Sequence, residues 1–402
     1  MFNKTISAPV HPIHRRNGDN KAVINWIEDA ISKKHIKYYD YKNFSNLEKI
    51  GSGGFGNVYR ANWKNPHNIL ALKSLNDVDD ATSVEKLVYE LNINRDVHPY
   101  DNIIKFYGIT TENPNDSIKK YMLVMEYADS GTLEKYLKEN FNNLTWDNKL
   151  KMAYQLACAV SVLHDENIIH RDLHPKNVLV HQNTIKLADF GVSKKIDELI
   201  KSQSIDGVVP YVDPKKFTLE KKYSLDKKSD VYSTGVLLWE ISSGHQPFKG
   251  RSRYSLMVQI PKGLRETPIP NTPADYTKIY TDCWELEADY RPNIHEVVNR
   301  LETIIAINNS ISDSRSYNSN TNVQRSNPCN SNINNQRPIL NSTNDIYSYN
   351  SNKGSRINPI SSSTNNFHSH SSSRSSRWSV TNSRINSDNE EIEQLIRNIN
   401  NS

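Results

Sequence analysis

The chain has 402 residues, and its 50 Lys and Arg nearly balance its 45 Asp and Glu, giving a formal net charge of +5. So close a balance is typical of an ordinary mixed-charge surface, and we expect no nucleic-acid partner. No stretch approaches the roughly 18 apolar residues of a membrane-spanning helix, so we expect no membrane span.

The cysteines, Cys158, Cys283 and Cys329, lie far apart and show no metal-ligand spacing. Isolated cysteines suit a reducing compartment. The opening residues, MFNKTISAPVHPIHRR, lack the apolar segment of a secretory signal. We therefore expect the cytoplasm, with the nucleus as the alternative, which the pair Arg15 and Arg16 weakly favours. The sequence leaves the oligomeric state open.

Composition divides the chain into an N-terminal extension at 1–43, a globular domain at 44–305 and a tail at 306–402. The extension carries apolar residues at helical spacing over 21–36, among them Ile27. This spacing predicts a short amphipathic helix that docks on the domain behind it. The alternative is a regulatory element.

The tail is rich in Asn and Ser over 306–387 and carries few large apolar side chains. Such a segment cannot bury enough surface to offset its ordering entropy, so we expect it to be disordered. Residues 389–400 return to helical spacing. They predict either a partner-binding helix or a free helix of marginal stability.

The globular part starts with strand patterns. Phe44 opens a strand, a glycine turn and a second strand, and ILALKSL follows as a third. A helix is predicted over 82–97, and NIIKFYGIT and YMLVMEYA are two further strands. After Thr132 the pattern is mostly helical, apart from short pieces around 168–190. The predicted helices span 132–140, 146–166, 227–243 and 275–305. A small sheet-rich half therefore precedes a larger helical half.

The segment GSGGFGNV, from Gly51 to Val58, offers backbone amides to a phosphate, because glycine places no side chain in the way. A dinucleotide-binding fold needs a helix directly after such glycines, whereas Tyr59 and Arg60 continue as strand. A P-loop needs Gly-Lys followed by Ser or Thr, but Asn57 and Val58 stand there. The segment predicts a glycine hairpin, and taken alone it is a weak signal.

Further motifs follow in a fixed order. Lys73 lies on the third strand, Glu90 on the next helix, HRDLHPKN spans His170 to Asn177, and DFG begins at Asp189. Each has an ordinary structural interpretation, as a surface lysine, a turn aspartate or a capping asparagine. Together, their order and spacing match the signature set of a phosphoryl-transfer enzyme.

From about Phe44 to Ile305 the chain resembles the eukaryotic protein kinase family. Cys283-Trp284, Arg291-Pro292 and DVYSTGVLLWEI resemble its tyrosine-kinase-like group. The resemblance implies an α+β bilobal fold, with a small antiparallel N-lobe sheet, one N-lobe helix and a larger helical C-lobe. It also implies transfer of the ATP γ-phosphoryl group to protein hydroxyls, with Mg²⁺. Ser and Thr are favoured and Tyr is not excluded.

Two alternatives stay open beside this enzyme. The first is a pseudokinase scaffold that binds nucleotide and partners without transfer. The second is a small-molecule kinase of similar fold, which the motifs YVDP and DVYSTG disfavour.

The resemblance also assigns roles to single residues. Asp172 would accept the substrate proton, Lys73 would bind the α- and β-phosphates, and Glu90 would hold Lys73 in place; Glu85 is a weaker candidate for that last role. Asn177 and Asp189 would bind Mg²⁺, because their side chains supply hard oxygen ligands. Asp230, on a later helix, would brace the catalytic loop.

The nucleotide site follows by the same resemblance. Apolar side chains would sandwich the adenine, glycine-loop amides would approach the phosphates, and hinge peptide groups would bind the adenine edge, with Met125 at the rear of the slot. The residues expected to bind nucleotide are Ile50, Gly51, Ser52, Gly53, Gly54, Phe55, Gly56, Val58, Ala71, Lys73, Glu126, Ala128 and Leu179.

Some positions depart from the family. His174 stands two residues after Asp172, where Ser/Thr kinases usually carry Lys, and Lys176 stands where many tyrosine kinases carry Arg. Val208 occupies the position of the activation-segment Thr. Asn94 occupies a position that is usually apolar, and its polarity is expected to weaken the active placement of the helix.

Two regulatory and structural expectations complete the sequence analysis. Phosphorylation at Ser202 or Ser204, less so at Ser193, is expected to raise activity, with Arg171 as the phosphate's partner. Lys215 replaces the family's Glu opposite Arg291, which predicts two cations close together and a stabilising Lys215→Glu substitution. Asp213 or Glu285 would be the alternative partner of Arg291.

Overall fold

The computed structural model describes residues 19–53, 56–74, 81–97, 100–112, 120–195, 207–218 and 225–320. The predicted helix at 389–400 and most of the predicted tail lie outside these residues. Within them, the chain forms a sheet-rich N-terminal lobe followed by a helical C-terminal lobe, as expected. No helix of this part of the chain is both long and apolar enough to cross a membrane.

The N-terminal lobe is built on a five-stranded antiparallel sheet with the strand order β1-β2-β3-β5-β4. Its strands are β1 (Phe44–Gly53), β2 (Gly56–Trp63), β3 (Ile69–Ser74), β4 (Phe106–Thr111) and β5 (Tyr121–Glu126). β1 and β2 pair directly across the glycines, with Gly51 opposite Val58. The predicted glycine hairpin is therefore confirmed, and no helix follows the glycines as a dinucleotide-binding fold would require.

Two helices pack on this sheet. α2 (Ala81–Val97) connects β3 to β4 and corresponds to the helix predicted at 82–97. α1 (Asp19–Ser32) belongs to the N-terminal extension and packs against α2. The predicted amphipathic helix corresponds to α1, which begins at Asp19 and ends at Ser32 instead of spanning 21–36.

The C-terminal lobe contains helices α3 (Leu133–Asn140), α4 (Trp146–Asp165), α5 (Lys227–Ser243), α6 (Arg253–Gln259), α7 (Ala274–Cys283) and α8 (Ile294–Asn320). Short strand pairs lie near the lobe boundary: β6 (Ile168–Ile169) with β9 (Lys194–Lys195), and β7 (Val178–His181) with β8 (Thr184–Leu187). Capping boxes start α4 at Thr145 and α5 at Asp226, where side chains satisfy the first free backbone N–H groups.

The prediction of one helix over 275–305 is wrong, because the chain leaves the helix at Trp284 and re-enters it at Ile294. Pro292 lacks a backbone N–H and disfavours helical geometry in the residue before it. The Asn293 side chain then accepts the N–H of Glu296 and caps the new helix. The last helix also continues past the predicted domain boundary at 305, to Asn320.

Sequence analysis missed α6, which is short and capped by Ser252. The largest apolar cluster lies in the C-terminal lobe and centres on α4, α5 and α7. α5 is buried along nearly its whole length, so it forms a rigid centre to which the catalytic segments attach.

Candidate active site

A buried ion pair joins the sheet to α2. Lys73 Nζ lies 2.6 Å from Glu90 Oε1 and 2.9 Å from Asp189 Oδ1. The sheet register fixes Lys73 between Val58 on β2 and Leu123 on β5. Three separate motifs therefore meet at one ammonium group. The contact agrees with the expectation for Glu90; the Glu85 side chain lies outside the described residues.

The charges of Lys73, Glu90 and Asp189 shift one another's pKa. Burial alone would lower the pKa of Lys73, but the carboxylates of Glu90 and Asp189 outweigh it and raise that pKa. Burial raises the pKa of Glu90, opposed by the Lys73 charge. For Asp189 the Lys73 charge and hydrogen bond outweigh burial and lower the pKa. Lys73 thus stays cationic and Asp189 stays anionic, as binding of phosphate and metal requires.

The catalytic loop places Asp172 beside Asn177 and His174. Asn177 Nδ2 donates to the Asp172 carbonyl oxygen at 2.9 Å and to Oδ2 at 3.3 Å. His174 Nε2 lies 3.5 Å from the same Oδ2. Because the Lys176 N–H donates to His174 Nδ1, the proton of a neutral His174 ring lies on Nε2 and faces Asp172.

The other carboxylate oxygen of Asp172 faces a glycine. A β-carbon built on Gly207 would lie 3.4 Å from Asp172 Oδ1, and the positive φ of +113° at Gly207 disfavours any side chain there. Donors therefore gather on Oδ2, whereas a small residue borders Oδ1. This division leaves Oδ1 as the oxygen that can receive a substrate proton.

Asp230, at the start of α5, binds the backbone of the catalytic loop. Its carboxylate accepts the backbone N–H of His170 and of Arg171, each at 2.9 Å. Arg171 adopts a left-handed φ of +71°, which is costly for a non-glycine residue. The bracing role expected for Asp230 agrees with these contacts, because they fix a strained peptide next to Asp172.

His164 also contacts Asp230, and sequence analysis missed it. Its Nε2 lies 3.0 Å from Asp230 Oδ2, and both side chains are buried. The only sequence signal was a histidine on the buried face of a predicted helix, which is more often a satisfied core residue than a functional one.

The oxygens of Asp189 and Asn177 fit a magnesium ion. Asp189 sits at φ +67° and its side chain stays partly exposed, while its Oδ1 also accepts the Gly191 N–H. The side-chain N–H groups of Asn177 donate to Asp172, so the side-chain oxygen of Asn177 faces away from Asp172. One carboxylate and one amide oxygen suit a hard cation that takes its remaining ligands from phosphates and water.

The predicted adenine slot lies on one apolar cluster. Ala71, Met125 and Ala128 are buried members of it, and Val58 and Leu179 pack against them. Ile50 is 47% exposed and lies outside that cluster. Gly54 and Phe55 lie outside the described residues. The remaining predicted residues of the glycine hairpin, Gly51, Ser52, Gly53 and Gly56, pair across the β1–β2 turn.

Part of the activation segment is described. Tyr211 is buried and its hydroxyl donates to Glu240 Oε2 at 2.7 Å, which indicates a structural role. Ser193 is buried and donates to the His170 carbonyl oxygen, which makes it a poor phosphate acceptor in this state. Ser202 and Ser204 lie outside the described residues.

The predicted clash of Lys215 with Arg291 is wrong. Asp213 is the partner of Arg291, with Nη1 2.6 Å from Oδ2 and Nη2 3.2 Å from Oδ1. Lys215 turns away and its Nζ lies 2.8 Å from Glu287 Oε1. In the family, the carboxylate that pairs with this arginine follows a proline. Here the residue after Pro214 is Lys215, and Asp213, which precedes Pro214, supplies the carboxylate. Glu285 contributes only its backbone oxygen to Arg291.

Comparison with known proteins agrees with this geometry. Residues 44–301 match the family model described as protein tyrosine and serine/threonine kinase. A probable LIM domain-containing serine/threonine-protein kinase of Dictyostelium discoideum is 32% identical over 284 residues, which cover 69% of this chain and 40% of that protein.

Two plant proteins are also similar. Serine/threonine-protein kinase VIK of Arabidopsis thaliana is 32% identical, over 65% of this chain and 60% of its own length. Serine/threonine-protein kinase CTR1 of the same plant is 33% identical, over 64% of this chain and 31% of its own length. The matched region thus spans less than two thirds of each relative. The chain belongs to the protein tyrosine and serine/threonine kinase family, which confirms the resemblance to its tyrosine-kinase-like group.

Proposed function

We propose that this chain is an active protein kinase that transfers the ATP γ-phosphoryl group to Ser or Thr hydroxyls of proteins. The observation that carries the proposal is the meeting of Lys73, Glu90 and Asp189 in one buried ion group, beside a loop that aims Asp172 and Asn177. Phosphoryl transfer depends on positioning and charge neutralisation, and this arrangement supplies both.

Each residue has a defined task in this mechanism. Lys73, cationic and held by Glu90, binds the α- and β-phosphates of ATP. Asp172 orients the substrate hydroxyl and takes its proton on Oδ1, while Asn177 and His174 hold Oδ2. The hydroxyl oxygen attacks the γ-phosphorus as the bond to the bridging oxygen of ADP breaks.

Asp189 and Asn177 would hold Mg²⁺. When bound, the metal neutralises phosphate charge. The adenine would lie in the slot formed by Val58, Ala71 and Leu179, against the hinge at Glu126 and Ala128. Ile50 and the glycine hairpin would cover the nucleotide.

Serine and threonine are proposed as acceptors because similar proteins are named serine/threonine-protein kinases. The departures at His174, Lys176 and Val208 leave tyrosine as an outcome of the test. We further propose a cytoplasmic or nuclear enzyme with protein substrates. Its kinase domain would start at 44, after the extension 1–43, and would be followed by an Asn/Ser-rich tail from about 306.

The test is phosphate transfer from labelled ATP to a degenerate peptide library with Ser, Thr or Tyr as the only acceptor. Asp172→Ala should lower turnover by about 10²–10⁴-fold, the range for a positioned general base, while nucleotide binding persists. Asp165→Asn is the matched control, because Asp165 is an exposed carboxylate at the end of α4. Nucleotide binding without transfer by the parent chain would instead identify a pseudokinase scaffold.

A further inference from the structure

The N-terminal extension attaches to the kinase fold at two separate places. Residues 19–43 precede the family match, which begins at residue 44. Yet α1 packs on α2, and residues 37–39 pack on β4. Since α2 carries Glu90, the first attachment lies on the element that completes the catalytic ion pair.

The first attachment is mainly apolar and includes a hydrogen bond. Ile27 of α1 has no exposed surface, and it shares an apolar cluster with Leu91 of α2 and with Ile109 and Tyr121 of the sheet. The Tyr121 hydroxyl donates to Glu28 Oε1 at 2.7 Å. One turn of α1 therefore contacts both α2 and the strand β5.

The second attachment fixes the other end of the extension. The Tyr39 N–H donates to the Ile109 carbonyl oxygen at 2.8 Å, and the Ile109 N–H donates to the Lys37 carbonyl oxygen at 2.9 Å. Gly108, at φ +154°, permits this approach, because a β-carbon there would overlap the carbonyl oxygen of Lys37. The extension thus spans from the sheet to α2 and is held at both ends.

Holding α2 in this position has an internal cost. Asn94, one turn after Glu90, is 1% exposed. Its Nδ2 donates to the Glu90 carbonyl oxygen, but its Oδ1 has no hydrogen-bond partner among the described residues. A buried acceptor without a partner costs about 1–3 kcal/mol. Other contacts of α2 in the paired position must offset this cost.

We propose that the extension is a built-in brace that keeps α2 and Glu90 in the position that pairs with Lys73. Ile27 and Glu28 are positioning residues, because they act on the reaction only through α2. The brace sets the fraction of molecules with an intact ion pair, so it controls turnover without contacting ATP or substrate. Its effect on activity rests on the proposed function, whereas its effect on α2 does not.

The test compares hydrogen exchange and turnover in full-length variants. Ile27→Asp buries a carboxylate under α1 and should detach it. Amide exchange in 81–97 should then quicken and kcat should fall by about tenfold, as expected if the paired position drops to about a tenth of the molecules. Exchange in α5 should stay at parental values. Asn25→Asp is the matched control, because it adds the same charge to the exposed side of α1.

A second substitution separates a brace from general damage. Asn94→Leu, added to Ile27→Asp, removes the unpaired acceptor. It should slow the exchange of α2 again and recover about threefold in kcat, a fraction of that acceptor's cost. Damage confined to α1 would not respond to a substitution on α2.

The proposal is overturned if α1 exchanges freely in Ile27→Asp while α2 exchange stays parental. Where Ile27→Asp does not fold, Tyr121→Phe removes only the hydroxyl that contacts Glu28. It should quicken α2 exchange by about twofold to threefold, the scale of one hydrogen bond, and parental exchange there would equally overturn the brace. A parent chain without transfer activity would refute the proposed function and leave the exchange result decisive.

Discussion

Two buried cation–carboxylate pairs, one in each lobe, differ in how completely the protein surrounds them. Lys73 has Glu90 and Asp189 as its carboxylate partners, and the Asp189 side chain remains partly exposed. Arg291 and Asp213 have no exposed side-chain surface. Every guanidinium nitrogen of Arg291 donates to Asp213 or to backbone oxygens of Glu285, Lys228 and Leu286.

The difference separates a functional pair from a structural one. Because the Asp189 carboxylate is partly exposed, the ion group around Lys73 can exchange partners with a ligand. The Arg291–Asp213 pair cannot, because it has no exposed side-chain surface and is saturated with hydrogen bonds. The same chemistry therefore serves the reaction in the N-terminal lobe and the fold in the C-terminal lobe, and substitutions should distinguish the two.

The largest effect should follow Lys73→Met. Turnover should fall by about 10³-fold or more, the scale of a cation that stabilises transferring phosphate. The melting temperature should change little, because burial already raises the pKa of Glu90 and the abandoned carboxyl can take up a proton. Steady-state kinetics and thermal melting provide the measurements.

Lys149→Met is the control for that experiment. Lys149 is a buried lysine of α4, far from the ion pair in sequence, and its Nζ donates to the Ser242 carbonyl oxygen. Its loss should leave turnover near the parental value. Near-parental turnover in Lys73→Met would remove Lys73 from the mechanism.

Arg291→Met should show the opposite pattern. It leaves Asp213 buried without its cation, which costs roughly 3–5 kcal/mol of unfolding free energy. The melting temperature should fall on the order of 10 °C, while turnover per folded molecule stays near the parental value. Arg300→Met is the control, since Arg300 pairs with Asp282 at a more exposed site and should cost less than about 1 kcal/mol.

Glu240 differs from both pairs, because it is a buried acid with no ion-pair cation among the described residues. Burial raises its pKa to about 8 from the ordinary 4.5, with Tyr211 opposing this shift and Glu134 adding to it. Between pH 4.5 and 8, Glu240 therefore keeps its proton in the folded chain but has lost it in the unfolded chain. Stability should fall across that interval as pH rises.

Glu240→Gln removes this dependence and keeps an acceptor for the Tyr211 hydroxyl. The difference in melting temperature, variant minus parent, should be larger at pH 8 than at pH 5 by a few degrees. Melting curves at both pH values test this. A constant difference between the two proteins would show that Glu240 is ionised throughout.

The smallest effect should follow Lys215→Glu. Since Lys215 pairs with Glu287, the substitution exchanges a partly exposed attraction for a repulsion. The melting temperature should fall by a few degrees at most, consistent with a cost of about 1 kcal/mol. Lys215→Gln should fall between the variant and the parent. A rise in melting temperature would restore the original expectation of opposed cations.

Sequence analysis predicted most where the spacing of motifs resembles a known family. Lys73, Glu90, Asp172, Asn177 and Asp189 were predicted because their order and spacing resemble the kinase signature set. The fold places Lys73 against Glu90 and Asp189, and Asn177 against Asp172. Pattern alone failed where local geometry decides between neighbours. Asp213 and Lys215 lie two residues apart, and only the turn between them determines which side chain faces Arg291.

Long-range contacts were also beyond the sequence. Sequence analysis made no prediction for His164, because nothing in the pattern of α4 connected it to Asp230. The docking of the extension was expected from the spacing around Ile27, but its dependence on Gly108 was not. Contacts between distant segments leave no periodic signal in either segment.

The contact of residues 37–39 with β4 has a consequence for solubility. β4 is the last strand of the five-stranded order, and the backbone N–H and C=O of Ile109 are occupied by Lys37 and Tyr39. Unpaired groups on an outer strand are a template for pairing with another chain. A version trimmed to the family match at 44–301 would uncover them, so the extension also shields the sheet from edge-to-edge aggregation.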